Sequence, residues 1–485
     1  MGCLTSGSPA NNVALNPGGR LISRAAASGE SPENLMTSIG GTASLEAASA
    51  STAPAKINAI RALCEKWFFL NLKLWMINLL GMNASDSLLN AAKTEATSIA
   101  AGATAASSQN RLAFVDNLRW VMIVLVVGMH AAMTYSHVGS WYFMEDPEPD
   151  IGTKALFATY QSFLQAFFMG LLFLIAGYFV PPAFDRKGLG KFLRDRAVRL
   201  GIPTLLFMLL IHPLIVYWLL RDFADHSRPS LLNAYWPYIW RGLFLGSSGP
   251  MWFTFALLAF SFVYGAIRVA SRAPARAEPE APLPTHSQVL GLALIMGACT
   301  FLVRIAQPIG TNILNMQLCF FSQYILLFAI GIRAARRNWL MLLPYRFGMR
   351  WFTLSLTFGC LAWAGLVFAV LATHSEDKVS GGFTWQSAAL SFWESFFCVG
   401  VCLGLIVQFR EKFNRQGVVA RWLSDNCFAV YLFHPPLLIA VTLALGGFVA
   451  PRPVKFLCAT VLGVVVTYLA SSLVFRRIPV LKRVL

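Results

Sequence analysis

From about residue 111 onward the chain alternates long apolar runs with short polar connections. The runs fall at about 115 to 135, 155 to 180, 200 to 220, 251 to 270, 288 to 306, 317 to 335, 351 to 373, 387 to 408, 426 to 447 and 454 to 475. Each is near the ~20 residues a helix needs to cross ~30 Å of hydrocarbon, where backbone polar groups can be satisfied only within the segment. The pattern predicts an all-α polytopic integral membrane protein of about ten transmembrane helices over residues 111–485. "LLNAYWPYIWRGLFLGSSGP", ahead of the fourth run, is aromatic but broken by Pro237, Gly246 and Pro250, and reads as a surface or re-entrant segment. Residues 1–110 are a low-complexity region. To about residue 57 they are rich in Ala, Ser, Gly and Thr without periodicity, which predicts disorder. The apolar stretch 63–82 is interrupted by Lys66 and Lys73 and reads as an interfacial helix anchored by Trp67 and Trp75. The opening "MGCLTS" fits an N-myristoylation pattern, a short and weak match, and a start codon assigned upstream of the working protein accounts for the segment equally well.

Composition agrees with the pattern. Hydrophobic residues make up 56% and charged residues 13%, where a soluble globule carries about 25% charged residues. The net charge of +17 does not indicate nucleic acid, because Lys and Arg sit in short clusters between apolar runs. Those clusters follow runs 2, 4, 6, 8 and 10; the other loops are poor in Lys and Arg, and "MEDPEPD" after run 1 is acidic. The positive-inside rule then puts both ends of the helical unit in the cytoplasm, in a multi-pass protein of the cytoplasmic (inner) membrane. Seven of the nine cysteines lie in or beside apolar runs without a C-x-x-C pair, so neither a disulfide framework nor a metal site is expected.

Candidate chemistry begins in the first run. Arg119 and His130 are eleven residues apart, about three helical turns, so they share one face about 16 Å apart along the axis. Arg119 lies toward the cytoplasm and His130 in the outer half of the membrane. A lone arginine there is usually a snorkelling topology marker and a lone histidine a packing residue; on one face they also outline a path. Arg196 and Arg199, before the third run, are i, i+3 neighbours suited to gripping phosphate with planar forks, or simply to marking topology.

R-x10-H in the first run, "FLIAGYF" (173–179), R-x-x-R (Arg196, Arg199), "PMWF" (250–253) and "AVYLFHPPLL" (429–438) occur in this order. Together they resemble the membrane acyltransferase-3 family over nearly all of residues 111–485. "RLGIP" and "RRIPVLKRVL" resemble more loosely the branch containing glucan biosynthesis protein C, which is associated with succinylation of periplasmic glucans. The resemblance implies transfer of an acetyl or succinyl group from cytoplasmic acyl-CoA, a substrate rather than a bound cofactor, to a hydroxyl of a carbohydrate or glycan outside the membrane. His130 is then the expected base, and Arg119, Arg196 and Arg199 the expected holders of acyl-CoA. Tyr178, Trp252, Glu394 and His434 are candidates to line the site, with Tyr178, Trp252 or the Gly177 amide as candidate oxyanion donors; for His434 a structural histidine satisfied by carbonyls that the two following prolines free is the favoured reading. Gln161, Ser162, Gln165 and Trp393 could also face it, although helix–helix hydrogen bonding is the default for such residues. The acidic residue that some members place about ten positions after the histidine is missing. A folded-back loop acid such as Glu145 or Asp146, or His137, Ser136 or Tyr135, is left to orient His130. The competing class is a secondary transporter or exporter, which usually shows two similar halves; none are seen here.

Overall fold

The computed structural model describes residues 112–220, 231–271 and 282–482, so the readings made for residues 1–110 lie outside the described residues. The described part is helical. We number its longer helices α1 (Ala113–Ser136), α2 (Ile151–Arg196), α3 (197–219), α4 (Leu231–Trp240), α5 (Trp252–Ser271), α6 (His286–Ala306), α7 (Phe321–Arg336), α8 (Tyr345–Ala372), α9 (Trp385–Lys412), α10 (Val418–Ala444) and α11 (Arg452–Leu473). Among the described residues, nine helical stretches are long and apolar enough to cross a membrane.

One of these, Ile151–Tyr217, is 67 residues long and would reach about 100 Å if straight, far beyond a bilayer. It folds back instead. At Gly188 the backbone leaves helical geometry (φ 69°, ψ 168°), a left-handed conformation that a glycine adopts freely. The Phe184 and Phe192 rings meet across the bend at 5.5 Å, and Lys187 pairs with Asp195 at 2.6 Å. α5 runs parallel to the first leg, its Phe253 and Tyr264 touching Phe173 and Phe184. It is antiparallel to the second, where Thr254 meets Thr204 at 2.7 Å and Gly265 faces Leu189.

α3 is irregular for a reason visible in its sequence. Pro203 and Pro213 have no N–H to give the carbonyls one turn back, and π-helical turns at Ala197–Gly201, Phe207–Ile211 and Ile215–Leu219 interleave with α turns. The Leu209 carbonyl, which Pro213 leaves free, accepts the Tyr235 hydroxyl at 3.0 Å, and Met208 O accepts that of Tyr238 at 2.6 Å. α4, the segment read as surface or re-entrant, thus caps the outer part of α3.

α1, α2, α7 and α9 form the buried centre of the bundle, with α2 packed against α7, α1, α9 and α5. α5, α6, α8 and α11 lie outside and present residues such as Leu361, Phe368 and Val461 outward, as lipid-facing helices do. The basic loops gather at one end, where Arg336 bonds Asp185 at 2.5 Å, Arg410 bonds the Leu340 and Leu343 carbonyls, and Asn117 bonds those of Phe413 and Arg415. At the other end Arg452 clasps the Tyr135 and Glu145 carbonyls, and Asn315 bonds Gly249 O.

Candidate active site

A cavity of about 230 Å³ opens at the end of the bundle opposite the basic loops. His130 and Met133 from α1, Trp141 and Tyr142 from the following loop, Gln165 from α2 and His212 from α3 line one side. Trp252, Phe320 and Tyr324 complete the wall with Gly249 and Pro250. Gly249 has φ +49°, and a Cβ there would sit 2.5 Å from the Phe207 ring and 2.8 Å from the Tyr142 hydroxyl, so the wall closes this tightly only with glycine.

His130 is held by rings rather than by a carboxylate. Trp141 stacks on it with centroids 3.9 Å apart and planes 15° apart, and His434 lies at 5.2 Å and 18°. Trp141 and His434 are 6.4 Å apart, so the three centroids form a nearly right-angled triangle with its corner on His130. Trp141 therefore covers the face of the imidazole, while His434 stands to its side with its ring in a nearly parallel plane. His130 Nδ1 is buried without a hydrogen-bond partner, which leaves Nε2 as the nitrogen open to the cavity. Trp141 Nε1 and His434 Nε2 are also buried and unpartnered, so three polar atoms without protein partners converge here.

The loop after α1 does fold back, but not onto the imidazole. Glu145 N–H donates to Thr134 O, its carboxylate accepts Lys455 Nζ at 2.9 Å, and its carbonyl accepts His137 Nε2–H at 2.8 Å. Ser136 Oγ accepts the Gln161 amide at 3.1 Å. These bonds secure the end of α1 and carry Trp141 over His130.

Of the residues expected near the site, Trp252 and Gln165 line the cavity, Gln165 donating to the Tyr324 hydroxyl at 3.1 Å. His434 is fully buried behind Tyr431. Tyr178 and Glu394 lie outside the lining. Glu394 is buried against Arg304 at 2.5 Å, and Arg304 also donates to Ser391 Oγ at 3.1 Å. Gly177 belongs to the regular helix of α2, pressed against the Phe328 carbonyl of α7, so its amide is not free to serve as an oxyanion donor. Trp393 donates to Gly359 O of α8, a helix–helix contact.

His212, which the sequence reading passed over, also lines the cavity. Its Nδ1 lies 2.9 Å from the Tyr142 hydroxyl and its ring stacks on Tyr238 at 5.9 Å. Burial pushes the Tyr142 phenol up, so the contact is a hydrogen bond between a neutral hydroxyl and the imidazole; burial likewise pushes Tyr238 up to about 12. The histidine sits among apolar residues with no motif around it, so nothing local in the sequence marked it.

The arginines lie at the basic end. Arg119 rests over the Phe179 ring at 4.8 Å and 3.4 Å from Asp116, and Arg196 rests over Phe192 at 5.3 Å. Arg196 is within electrostatic reach of both Arg119 and the exposed Arg199. Among the described residues neither Arg196 nor Arg199 has a carboxylate partner. The cavity descends along α1 no farther than Val126, and Met122 and Ile123, between it and Arg119, are buried.

A family model described as an acyltransferase domain matches residues 112–472. The chain is similar to glucans biosynthesis protein C of Salmonella gallinarum, 23% identical over 393 residues that cover 76% of this chain and 93% of the relative. It is also similar to the protein of that name from Escherichia coli O6:K15:H31, 22% identical over 392 residues, 76% and 92% of the two chains. No solved structure matches. The match extends from the start of α1 to the last turn of α11 and sets the transporter reading aside: the chain belongs to the acyltransferase-3 family and is a multi-pass membrane acyltransferase.

Proposed function

We propose that this protein takes an acetyl or succinyl group from acyl-CoA on the cytoplasmic side and delivers it to a hydroxyl of a glucan-like carbohydrate on the outer side of the cytoplasmic membrane. The observation that carries the reading is the arrangement on α1: His130 in the wall of a cavity at one end, and Arg119 beside Arg196 and Arg199 at the other. The hairpin at Gly188 supports ten crossings, and the basic loops at the arginine end support placing that end and both termini of the helical unit in the cytoplasm. The name of the relatives supports a glucan acceptor, and the aromatic walls of the cavity suit the apolar faces of a sugar ring.

In this reading the CoA phosphates sit among Arg119, Arg196 and Arg199, and the thioester arm reaches along α1 to His130. Because Met122 and Ile123 are packed between the two ends, the donor must part α1 from its neighbours as it enters. The acceptor oxygen attacks the thioester carbon while its proton passes to His130 Nε2. The tetrahedral oxyanion then collapses, the C–S bond breaks, and the departing thiolate takes the proton from the imidazolium.

The test is acylation of a glucan oligosaccharide by membranes containing His130→Ala or Arg199→Ala at wild-type protein level, read by mass spectrometry. His130→Ala is expected to lose about 10²- to 10⁴-fold in rate. Arg199→Ala is expected to raise KM for acyl-CoA about tenfold and leave that for the acceptor unchanged. A fully active His130→Ala would refute the base, and equal effects of Arg199→Ala on both substrates would refute the donor site.

A further inference from the structure

The site contains a base with no visible partner to orient it. In a general base of this type the nitrogen that does not touch substrate normally donates to an acceptor, which fixes the tautomer and stabilises the imidazolium. Here the position in which some family members carry an acid is vacant, and Glu145 is occupied by Lys455. His130 Nδ1 is nevertheless buried without a partner.

His434 has the complementary chemistry. Its Nδ1 lies 2.9 Å from the Tyr431 carbonyl, which can only accept, so the proton of His434 is on Nδ1 and its Nε2 carries a lone pair. That lone pair is buried and unpartnered in a side chain of 0% exposure. Pro435, which follows it inside α10, has no N–H to give the Tyr431 carbonyl one turn back and leaves that carbonyl free for the imidazole. The ring stands edge to edge with His130. With centres 5.2 Å apart and planes 18° apart, the edges of two such rings can be brought to about 3 Å, within hydrogen-bonding range. An unpaired acceptor thus stands beside an unpaired donor, both shut off from solvent.

We infer that His434 is the positioning residue for His130, its Nε2 accepting His130 Nδ1–H and so holding Nε2 of His130 in the unprotonated, base-competent form. The two nitrogens are not bonded in this structure; a shift of the His130 side chain toward α10 closes the contact when acceptor and donor substrates fill the cavity. Trp141 over the face blocks rotation of the ring about its Cβ–Cγ bond and leaves it movement within its own plane. The inference rests on His130 being the base. It assigns the role of the missing acid to a neutral imidazole fixed by a backbone carbonyl.

The titratable groups around His130 are His434 and Tyr431 from α10, Tyr142 from the loop after α1, His212 from α3 and Tyr324 from α7. Only His434 stands against the ring edge with a free lone pair. An acceptor there stabilises the protonated form of His130, so removing it lowers the pH at which the base is protonated. The acid limb of the rate profile must then move to lower pH while the plateau rate falls.

The test compares His434→Phe, His434→Gln and His130→Ala in membranes, using radiolabelled acetyl-CoA and succinyl-CoA with a glucan oligosaccharide and rates expressed per folded protein. His434→Phe is expected to lower kcat roughly 10- to 100-fold, out of the 10²- to 10⁴-fold a positioned base contributes, with KM for both substrates unchanged and the acid limb displaced downward. His434→Gln keeps an amide oxygen as acceptor and is expected to recover most of kcat and the original limb. If His434→Phe keeps the wild-type kcat and limb while His130→Ala is inactive, the inference is wrong and the base assignment stands. If His434→Gln is as slow as His434→Phe and neither moves the limb, His434 only fills space and the inference is again wrong. A fully active His130→Ala instead removes the reading on which it rests.

Discussion

At the scale of single residues, the chain keeps its charges apart from its chemistry. Arg304 and Glu394 are fully buried partners between α6 and α9, one layer behind Phe320 in the cavity wall, where Arg304 rests over that ring at 5.3 Å. Two ions taken out of water are tolerated there because each neutralises the other. Glu394→Leu strands a buried guanidinium and is expected to cost about 3–5 kcal/mol, read as a lower Tm of the detergent-solubilised protein. The double variant Arg304→Met/Glu394→Leu is expected to recover most of that loss; a single variant as stable as wild type would show that the pair is not needed. The sequence revealed this scale unevenly. Arg119 and His130 were legible because helical rotation alone relates them, and Glu394 stood out as an acid in an apolar run. Arg304 did not, since its partner lies 90 residues away on another helix and no local spacing relates the two. Trp141 and His212 meet the site only through the fold of a loop and of a π-widened helix, which no local periodicity encodes.

At the scale of elements, two glycines hold the centre of the bundle together. A Cβ at Gly177 of α2 would lie 2.2 Å from the Phe328 carbonyl of α7, and one at Gly331 of α7 would lie 2.1 Å from the Leu174 carbonyl of α2. Backbone faces backbone here, so neither side chain nor rotamer can give way. Gly331→Leu is expected to force the two helices apart and abolish accumulation of folded protein, as measured by fluorescence-detected size exclusion. A wild-type profile for that variant would contradict the packing. The ten apolar runs were all legible, and each is helical. What the hydropathy pattern could not convey is that runs two and three belong to one helical stretch folded at Gly188, or that Pro203 and Pro213 would be absorbed by π turns and by the Tyr235 hydroxyl rather than by breaks.

At the scale of the whole molecule, the two ends differ in chemistry. One collects arginines, two of them without a carboxylate partner among the described residues; the other opens into an aromatic cavity with His130 in its wall. Under the proposed function the acyl arm has to pass the buried Met122 and Ile123, and the reaction is vectorial, with the donor used from one side and the product formed on the other. The most direct test is sidedness in sealed, inside-out membrane vesicles with a glucan oligosaccharide trapped in the lumen and radiolabelled acyl-CoA added outside, at the cytoplasmic face. The account predicts label on the lumenal oligosaccharide with the wild-type protein and none above background with His130→Ala. Labelling of the trapped acceptor at the wild-type rate by His130→Ala would contradict it.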